Sequence, residues 1–125
     1  MDVARFESIA QRMEDGVEVV IRDPISNEPT DWVVVVASAE SRRARQALAR
    51  VQKHLQSNDL EQVEAANRRL LKAVIIDWHG AEKGSEQFPC TPENIDEVLA
   101  WPWFVEQITE AMGDRARFFG KPPSI

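Results

Sequence analysis

Residues 17–36, VEVVIRDPISNEPTDWVVVV, decide the fold because they contain two β-rich runs around a single loop. The runs 17–22 and 32–36 are rich in valine and isoleucine, which favour extended backbone. The residues between them are rich in Pro, Asn, Ser and Asp, which continue neither element. This pattern predicts a β-hairpin with a long loop. Residues 33–36 are apolar on both faces of the strand, so we expect helices or a neighbouring chain to cover it.

Helical patterns flank the hairpin on both sides. Upstream, apolar residues at spacings of three and four predict a short helix that ends at Gly16. Downstream, Ser38 is predicted to cap an amphipathic helix that stops near residues 58–59. A second long helix is predicted from residue 60 into the apolar run AVIIDW, where its end is expected to be deeply buried.

The last third of the chain is predicted to be helical. Thr91 is a favourable N-cap and Pro92 occupies the first helical position, where proline is preferred. The segment around Pro102 must break or kink before a final helical stripe, and the tail at 120–125 is expected to fray. The predicted fold is a mainly α, α+β domain spanning 1–125, with an N-terminal helix, a β-hairpin, two long helices and a helical C-terminal third.

Length and composition fit one soluble domain. The chain has 125 residues, of which 43% are hydrophobic and 29% charged, and a net charge of −6. The negative charge argues against a dedicated nucleic-acid binder. The longest apolar run, 33–36, is far too short to cross a bilayer. The first 16 residues have no apolar core or cleavage site of a secretory signal, and a single cysteine forms no internal disulfide, so we expect a reducing cytoplasm.

Charge is distributed unevenly along the chain. Segment 38–58 has five basic residues and one acidic residue, whereas 77–114 has one basic and nine acidic. The basic residues of 38–58 cover a wide arc without interleaved aromatics, which favours a solvated face over a phosphate-binding one. The opposite charges could pair within the molecule or between copies. We predict homo-oligomers, as rings or spirals, with these self-association residues: Val33, Val35, Arg42, Arg43 and Arg50.

Residues 77–94, DWHGAEKGSEQFPCTPEN, contain the candidates for site chemistry: Asp77, His79, Glu82 and Cys90. Structural zinc sites use closely paired Cys and His ligands, and this stretch has one of each. A Cys–His nucleophilic pair would need a third orienting group, which no local motif signals. The glycines and acidic residues are typical of a linker between elements. We therefore predict no metal, no cofactor and no catalytic residue, and a protein that is not an enzyme.

Aromatic residues crowd the C-terminal third. The chain has four Trp, five Phe and no Tyr. These side chains either fill the core or form an exposed patch that binds a partner, and the sequence leaves both interpretations open. The candidate partner-binding residues are Trp101, Trp103, Phe104, Phe118 and Phe119.

The order of these patterns carries a family resemblance. Residues 12–51, RMEDGVEVVIRDPISNEPTDWVVVVASAESRRARQALARV, contain a strand, an Asp-Pro turn, a second strand and a Ser- and Arg-rich helix. Residues 75–119 begin with IIDWHG and end with RARFF. Together they resemble the tail assembly chaperones of long-tailed bacteriophages. In that family a Trp and a Gly close a long helix, a Pro, Glu and Asn segment opens another, and an Arg-Phe pair lies near the end, as at Trp78, Gly80, 92–94, Arg117 and Phe118.

The resemblance implies a non-catalytic chaperone, made by a phage or prophage in the cytoplasm of the bacterial host. It would coat the tape measure protein, keep it soluble during tail assembly, and be absent from the mature virion. A longer frameshifted form would bind the tail-tube protein. The alternative is a structural virion protein, such as a tail-completion or neck component. An alternative from another class is a small enzyme or nucleotide-binding regulator that uses Asp77, His79 and Cys90.

Overall fold

The computed structural model describes residues 1–119, and the predicted frayed tail at 120–125 lies outside them. The structure confirms a mainly α, α+β fold. Its elements in chain order are α1 (Ala4–Asp15), β1 (Val17–Arg22), β2 (Pro29–Val36), α2 (Arg42–Leu55), α3 (Leu60–Val74), β3 (Ile75–His79), β4 (Glu82–Lys83), β5 (Glu86–Gln87), α4 (Pro92–Val98), α5 (Pro102–Gly113) and α6 (Arg115–Phe118).

The predicted hairpin is present and forms two strands of an antiparallel sheet in the order β1-β2-β3. Val19 pairs with Val34, which pairs with Trp78, and all three side chains are buried on one face. On the opposite face, Val33 lies between Val20 and His79 and is only half-buried. We call these the inner and outer faces of the sheet.

Helices α3, α4 and α5 contribute to the core that packs against the inner face. Their buried side chains recur at three and four residues, which is the spacing of one helical face. They are Leu71 and Val74 from α3, Ile95 and Val98 from α4, and Phe104, Ile108 and Ala111 from α5. Helices α2 and α3 form a helical hairpin on which Ala44, Ala47 and Val51 of α2 are buried.

The second long helix ends earlier than predicted. Helix α3 stops at Val74, and the run predicted to be its buried end forms β3 instead. Ile75 pairs with Val36 and Trp78 with Val34, so β2 supplies the hydrogen bonds that the helix would have used. Consequently Trp78 lies within a strand and Gly80 follows it, and neither closes a long helix.

Local capping explains the other boundaries. The Thr91 hydroxyl accepts the Asn94 N–H at 3.1 Å, and α4 begins at Pro92, as predicted. Helix α5 begins at Pro102, where the sequence predicted a break or a kink. Helix α2 is capped by Ser41, which accepts the Ala44 N–H at 3.2 Å, and not by the predicted Ser38. Ser38 is buried and donates its backbone N–H to Met13. The prediction chose the wrong serine because both are good caps by residue type.

The loop between β1 and β2 is held by Asp23. Its carboxylate accepts the backbone N–H groups of Ser26 and Ile25 at 3.0 and 2.8 Å. These two hydrogen bonds stabilise the ionised form and lower the pKa of Asp23. Asn27 takes a positive φ of 61°, which suits the short polar side chain of asparagine. None of the helices in residues 1–119 is long and apolar enough to cross a membrane.

Candidate partner-binding groove

Six aromatic side chains form one continuous cluster that reaches from the core to the surface. The ring centroids of Trp32 and Phe104 lie 4.9 Å apart in a stacked arrangement, and Trp32 meets Trp78 edge-on at 5.5 Å. Toward one end, Trp78 stacks on Phe88 at 5.8 Å. Toward the other end, Phe104 meets Trp103 at 6.3 Å and Trp103 stacks on Trp101 at 5.7 Å. All four tryptophans of the chain belong to this cluster.

The strands and the junction between α4 and α5 place the cluster. Trp78 points inward from β3, where its indole Nε1 donates to the Phe88 carbonyl at 2.7 Å. Trp101 is the N-cap of α5 and has extended backbone, because Pro102 disfavours a helical conformation in the residue before it. Its carbonyl accepts the N–H groups of Phe104 and Val105 at 3.1 Å. The side chain of Trp101 therefore lies at the junction between α4 and α5 and is 38% exposed.

An open groove lies where the exposed end of the cluster faces the β4–β5 hairpin. It consists of a cleft of about 310 Å³ and a smaller one of about 100 Å³, which share Glu82, Phe88 and Trp101. We call it the aromatic groove and define its apolar floor as Trp32, Ala81, Phe88, Val98 and Trp101. Its volume is at the lower end of the range for ligand pockets, so it fits a few apolar side chains of a partner.

The rim of the aromatic groove is acidic. Asp31 and Glu82 are exposed there, and Glu97 forms an ion pair with Lys83 at 2.7 Å. Lys83 also lies 5.7 Å from the centroid of the Phe88 ring, a cation–π distance. With three carboxylates around one ammonium, the rim favours an occupant that carries apolar anchors and flanking positive charge.

The predicted partner-binding residues divide between groove and core. Trp101 lines the groove, and the half-buried Trp103 stacks behind it. Phe104 and Phe118 are 0% exposed and therefore act as core residues in this fold. Phe119 is 41% exposed after α6 and does not line the groove.

Sequence reasoning did not select Trp32, Phe88, Ala81 or Val98 as binding residues. The helical spacing of Val98 predicted a core position for it, and Phe88 belongs to no local sequence motif. The only available signal was the apolar and aromatic content of the strands on which Trp32 and Trp78 lie.

The predicted self-association residues lie on two surfaces. Val33 and Val35 are half-buried on the outer face of the sheet, beside Val20, which is 44% exposed. The three arginines are exposed on α2: Arg42, Arg43 and Arg50. Within residues 1–119, none of these three arginines forms an ion pair with segment 77–114.

A second cleft, of about 320 Å³, is lined by the candidate site residues Asp77, His79, Glu82 and Cys90. Burial, and then the negative charge of Asp77, raise the pKa of the Cys90 thiol to about 11. The thiol is thus protonated at neutral pH, whereas a nucleophilic cysteine needs a lowered pKa. In the part of the chain that the structure describes, no three His, Cys, Asp or Glu side chains are grouped so as to hold a metal ion.

Comparison with known proteins gives no relative to reason from. No protein-family model, no curated protein and no solved structure matches this chain. A functional proposal therefore rests on the aromatic groove and on the resemblance of the sequence pattern.

Proposed function

We propose that this chain is a non-catalytic tail assembly chaperone of a long-tailed phage or prophage, which coats and solubilises the tape measure protein. It acts in the cytoplasm of the bacterial host and leaves before the virion is mature. A longer frameshifted form connects it to the tail-tube protein. The observation that supports this proposal best is the exposed end of the aromatic cluster at Trp101, which lies in an acidic-rimmed groove.

The groove suits a helical, apolar segment of a long partner. Tryptophan is the residue type most enriched among binding hot spots, because it buries a large area with few rotatable bonds. A helix docked in a groove contacts it through anchors at spacings of three and four. One copy covers only a short part of a tape measure protein. Many copies along one chain raise the overall affinity through effective concentration, although each contact is weak.

The test compares Trp101→Ser with Ile25→Ser. Serine is a favourable N-cap, so W101S removes the groove side chain while keeping α5 capped. Ile25 is 95% exposed on the β1–β2 loop and lies outside the groove, which makes I25S a matched loss of exposed apolar surface. Each variant is co-expressed with the product of the long, helix-rich reading frame that we expect directly downstream, and the soluble and co-purified fractions of that product are measured.

We expect the parent and I25S to keep the partner soluble and W101S to lose most of this effect. If W101S melts like the parent and still solubilises the partner, the aromatic groove is not the interface. If the parent itself fails to solubilise the partner, the chaperone function is wrong. The alternative, a tail-completion or neck component, predicts that the protein is present in purified particles, whereas the chaperone is absent from them.

A further inference from the structure

Strand β1 is an edge strand whose free side can be assigned. In an antiparallel sheet, successive residues direct their backbone N–H and C=O groups alternately to the two sides of the strand. The Ile21 carbonyl accepts the Thr30 hydroxyl of β2 at 2.7 Å, so the groups of Ile21 face β2. The Arg22 N–H and C=O instead contact the Gln107 side-chain amide of α5, at 2.7 and 2.9 Å. By alternation, the backbone groups of Glu18 and Val20 also face away from β2.

Glu18 and Val20 have no other partner at this edge. Among residues 1–119, neither backbone forms a hydrogen bond outside the sheet. The amide of Gln107 fills the place of a neighbouring strand at Arg22 only. The edge of β1 therefore offers unpaired donors and acceptors over most of its length, which makes it a template for a further strand.

The side chains along the same edge carry an acidic, apolar, basic pattern. Glu18, Val20 and Arg22 are exposed on the outer face, whereas Val19 and Ile21 are buried at 3% and 1% exposure on the inner face. This pattern is self-complementary. When two copies of β1 pair antiparallel about Val20, Glu18 of each copy lies opposite Arg22 of the other, and the two Val20 side chains meet at the centre.

Only this register satisfies both the hydrogen bonds and the charges. A shift of two residues keeps the backbone pairing but places Glu18 opposite Val20, which removes both ion pairs. A shift of one residue directs the free backbone groups of one copy against groups that are already used within the other. We propose that β1 is a homotypic docking strand, through which two copies pair about a twofold axis at Val20 to form a six-stranded sheet.

The proposed pairing extends a surface that is already apolar. Val20 neighbours Val33 across the β1–β2 ladder, and Val35 lies one row further along the same outer face. In the dimer, the two Val20 side chains join the half-buried valines of the two β2 strands into one strip across the four central strands. The interface is isologous, so it closes at two copies and does not propagate by itself.

Gln107 controls access to this edge. Its amide occupies the Arg22 groups that the second copy needs, so dimerisation exchanges two side-chain hydrogen bonds for strand pairing. Replacing Gln107 with Ala removes that competitor and is expected to strengthen the dimer. At the Arg22 end of the docking strand, the backbone groups are hydrogen-bonded to Gln107, whereas those of Glu18 and Val20 are free to pair.

The test is a charge swap across the dimer axis. E18R places two arginines opposite each other at both ends of the paired strands, and R22E places two glutamates opposite each other there. Each single variant should therefore dimerise about tenfold more weakly than the parent. The double variant E18R/R22E restores both ion pairs. Sedimentation equilibrium at low salt measures these affinities, with Q107A as the strengthened reference.

An equimolar mixture of the two single variants provides a second arm of the test. In a mixed dimer, one end pairs the arginine introduced by E18R with the glutamate introduced by R22E, and the other end pairs the native Arg22 with the native Glu18. Both ends then carry opposite charges, so the mixture should recover the parent affinity. A merely structural effect of either substitution would persist in the mixture.

Folding is checked separately by thermal melts. The Arg22 guanidinium also donates to the Asn27 carbonyl at 3.0 Å, so R22E can lose stability in the monomer. Glu18 forms no side-chain hydrogen bond or ion pair in residues 1–119, and E18R is therefore the cleaner variant. Single variants that dimerise like the parent, or no recovery in the mixture, would overturn the proposed register. A parent and a Q107A protein that both remain monomeric would overturn the docking strand itself.

Discussion

Two tryptophans of the aromatic cluster differ in what their indole N–H groups contact. The Nε1 of Trp78 donates to the Phe88 carbonyl at 2.7 Å, and this hydrogen bond ties β3 to the segment before α4. The Nε1 of Trp32 is also buried but has no hydrogen-bond partner within residues 1–119. A buried donor without a partner retains its desolvation cost, whereas a bonded one recovers it. The two indole N–H groups therefore contribute to stability with opposite sign, whereas both rings are packed in the core.

Replacing each tryptophan with Phe separates these contributions. W32F loses stability because a smaller ring is buried. It also removes a buried donor without a partner, which offsets part of that loss. W78F also buries a smaller ring, and it removes the hydrogen bond from the indole N–H to the Phe88 carbonyl, so both changes lower the stability. We expect the free energy of unfolding to be lower in W78F than in W32F by about 2 kcal/mol. Urea denaturation of both variants measures the difference. Equal stabilities, or a less stable W32F, would contradict this interpretation.

At the scale of residues, the sequence identified which types of side chain form the candidate site better than it identified where each of them lies. It selected Trp101 and Trp103 as binding residues, and these lie in and behind the groove. It could not separate them from Phe104 and Phe118, because core and surface positions differ only in how α5 packs on the sheet and how α6 packs on α1. Trp32 and Phe88 escaped selection for a related reason. Their contact with the C-terminal aromatics depends on tertiary packing, which no local pattern carries.

Among the elements, β3 shows where a local pattern is ambiguous. A short apolar run such as residues 73–76 fits a buried helix end and a buried strand equally well. The choice is made by β2, whose second side pairs with β3 from Val33 to Val36. By contrast, β1 was predicted with its observed bounds, Thr91 and Pro92 correctly marked the start of α4, and the predicted break or kink at Pro102 coincides with the start of α5. Backbone chemistry at a single residue fixes such boundaries, so they need no tertiary partner.

The turn after β3 requires glycine because β2 approaches it closely. Gly80 has a φ of +83°, and a Cβ there would overlap the carbonyl oxygen of Asp31. Gly84, between β4 and β5, has a φ of +67° with nothing within 4 Å of a Cβ. Both alanine variants incur backbone strain, of order 1 kcal/mol for a residue in this region. Only Gly80→Ala must also displace the main chain of β2.

We therefore expect Gly80→Ala to destabilise the protein more than Gly84→Ala. Overpacking typically adds about 1–3 kcal/mol to the cost of strain. Gly84→Ala is the matched control, since it shares the positive φ without the overlap. Chemical denaturation gives both values. If the two variants lose the same stability, the positive φ alone explains the need for glycine, and the Asp31 carbonyl oxygen does not restrict a Cβ at position 80.

Over the whole molecule, stability should be distributed unevenly. The core connects the sheet to α3, α4 and α5, whereas α1 has no buried residue. Helix α1 is attached through its last turn: Arg12 donates to the Phe118 carbonyl, Met13 accepts the Ser38 N–H, and Glu14 accepts the Arg42 N–H. Within the described chain, its first two turns form no hydrogen bond to any residue after α1. Val3 and Phe6 are 65% and 43% exposed there.

This distribution predicts that α1 opens without global unfolding. Elements with few buried apolar contacts exchange their amide hydrogens through local opening, whereas core elements exchange only when the whole domain unfolds. The amides of residues 8–11 should therefore exchange at least about a hundredfold faster than those at Leu71 and Val74 in α3. Hydrogen exchange followed by NMR measures both sets in one sample. Arg12→Ala should speed exchange further in the last turn of α1 and leave α3 unchanged, because the contact it removes joins α1 to α6 and does not involve α3. Equal protection in α1 and α3 would mean that the N-terminal helix is part of the cooperative core despite its exposure.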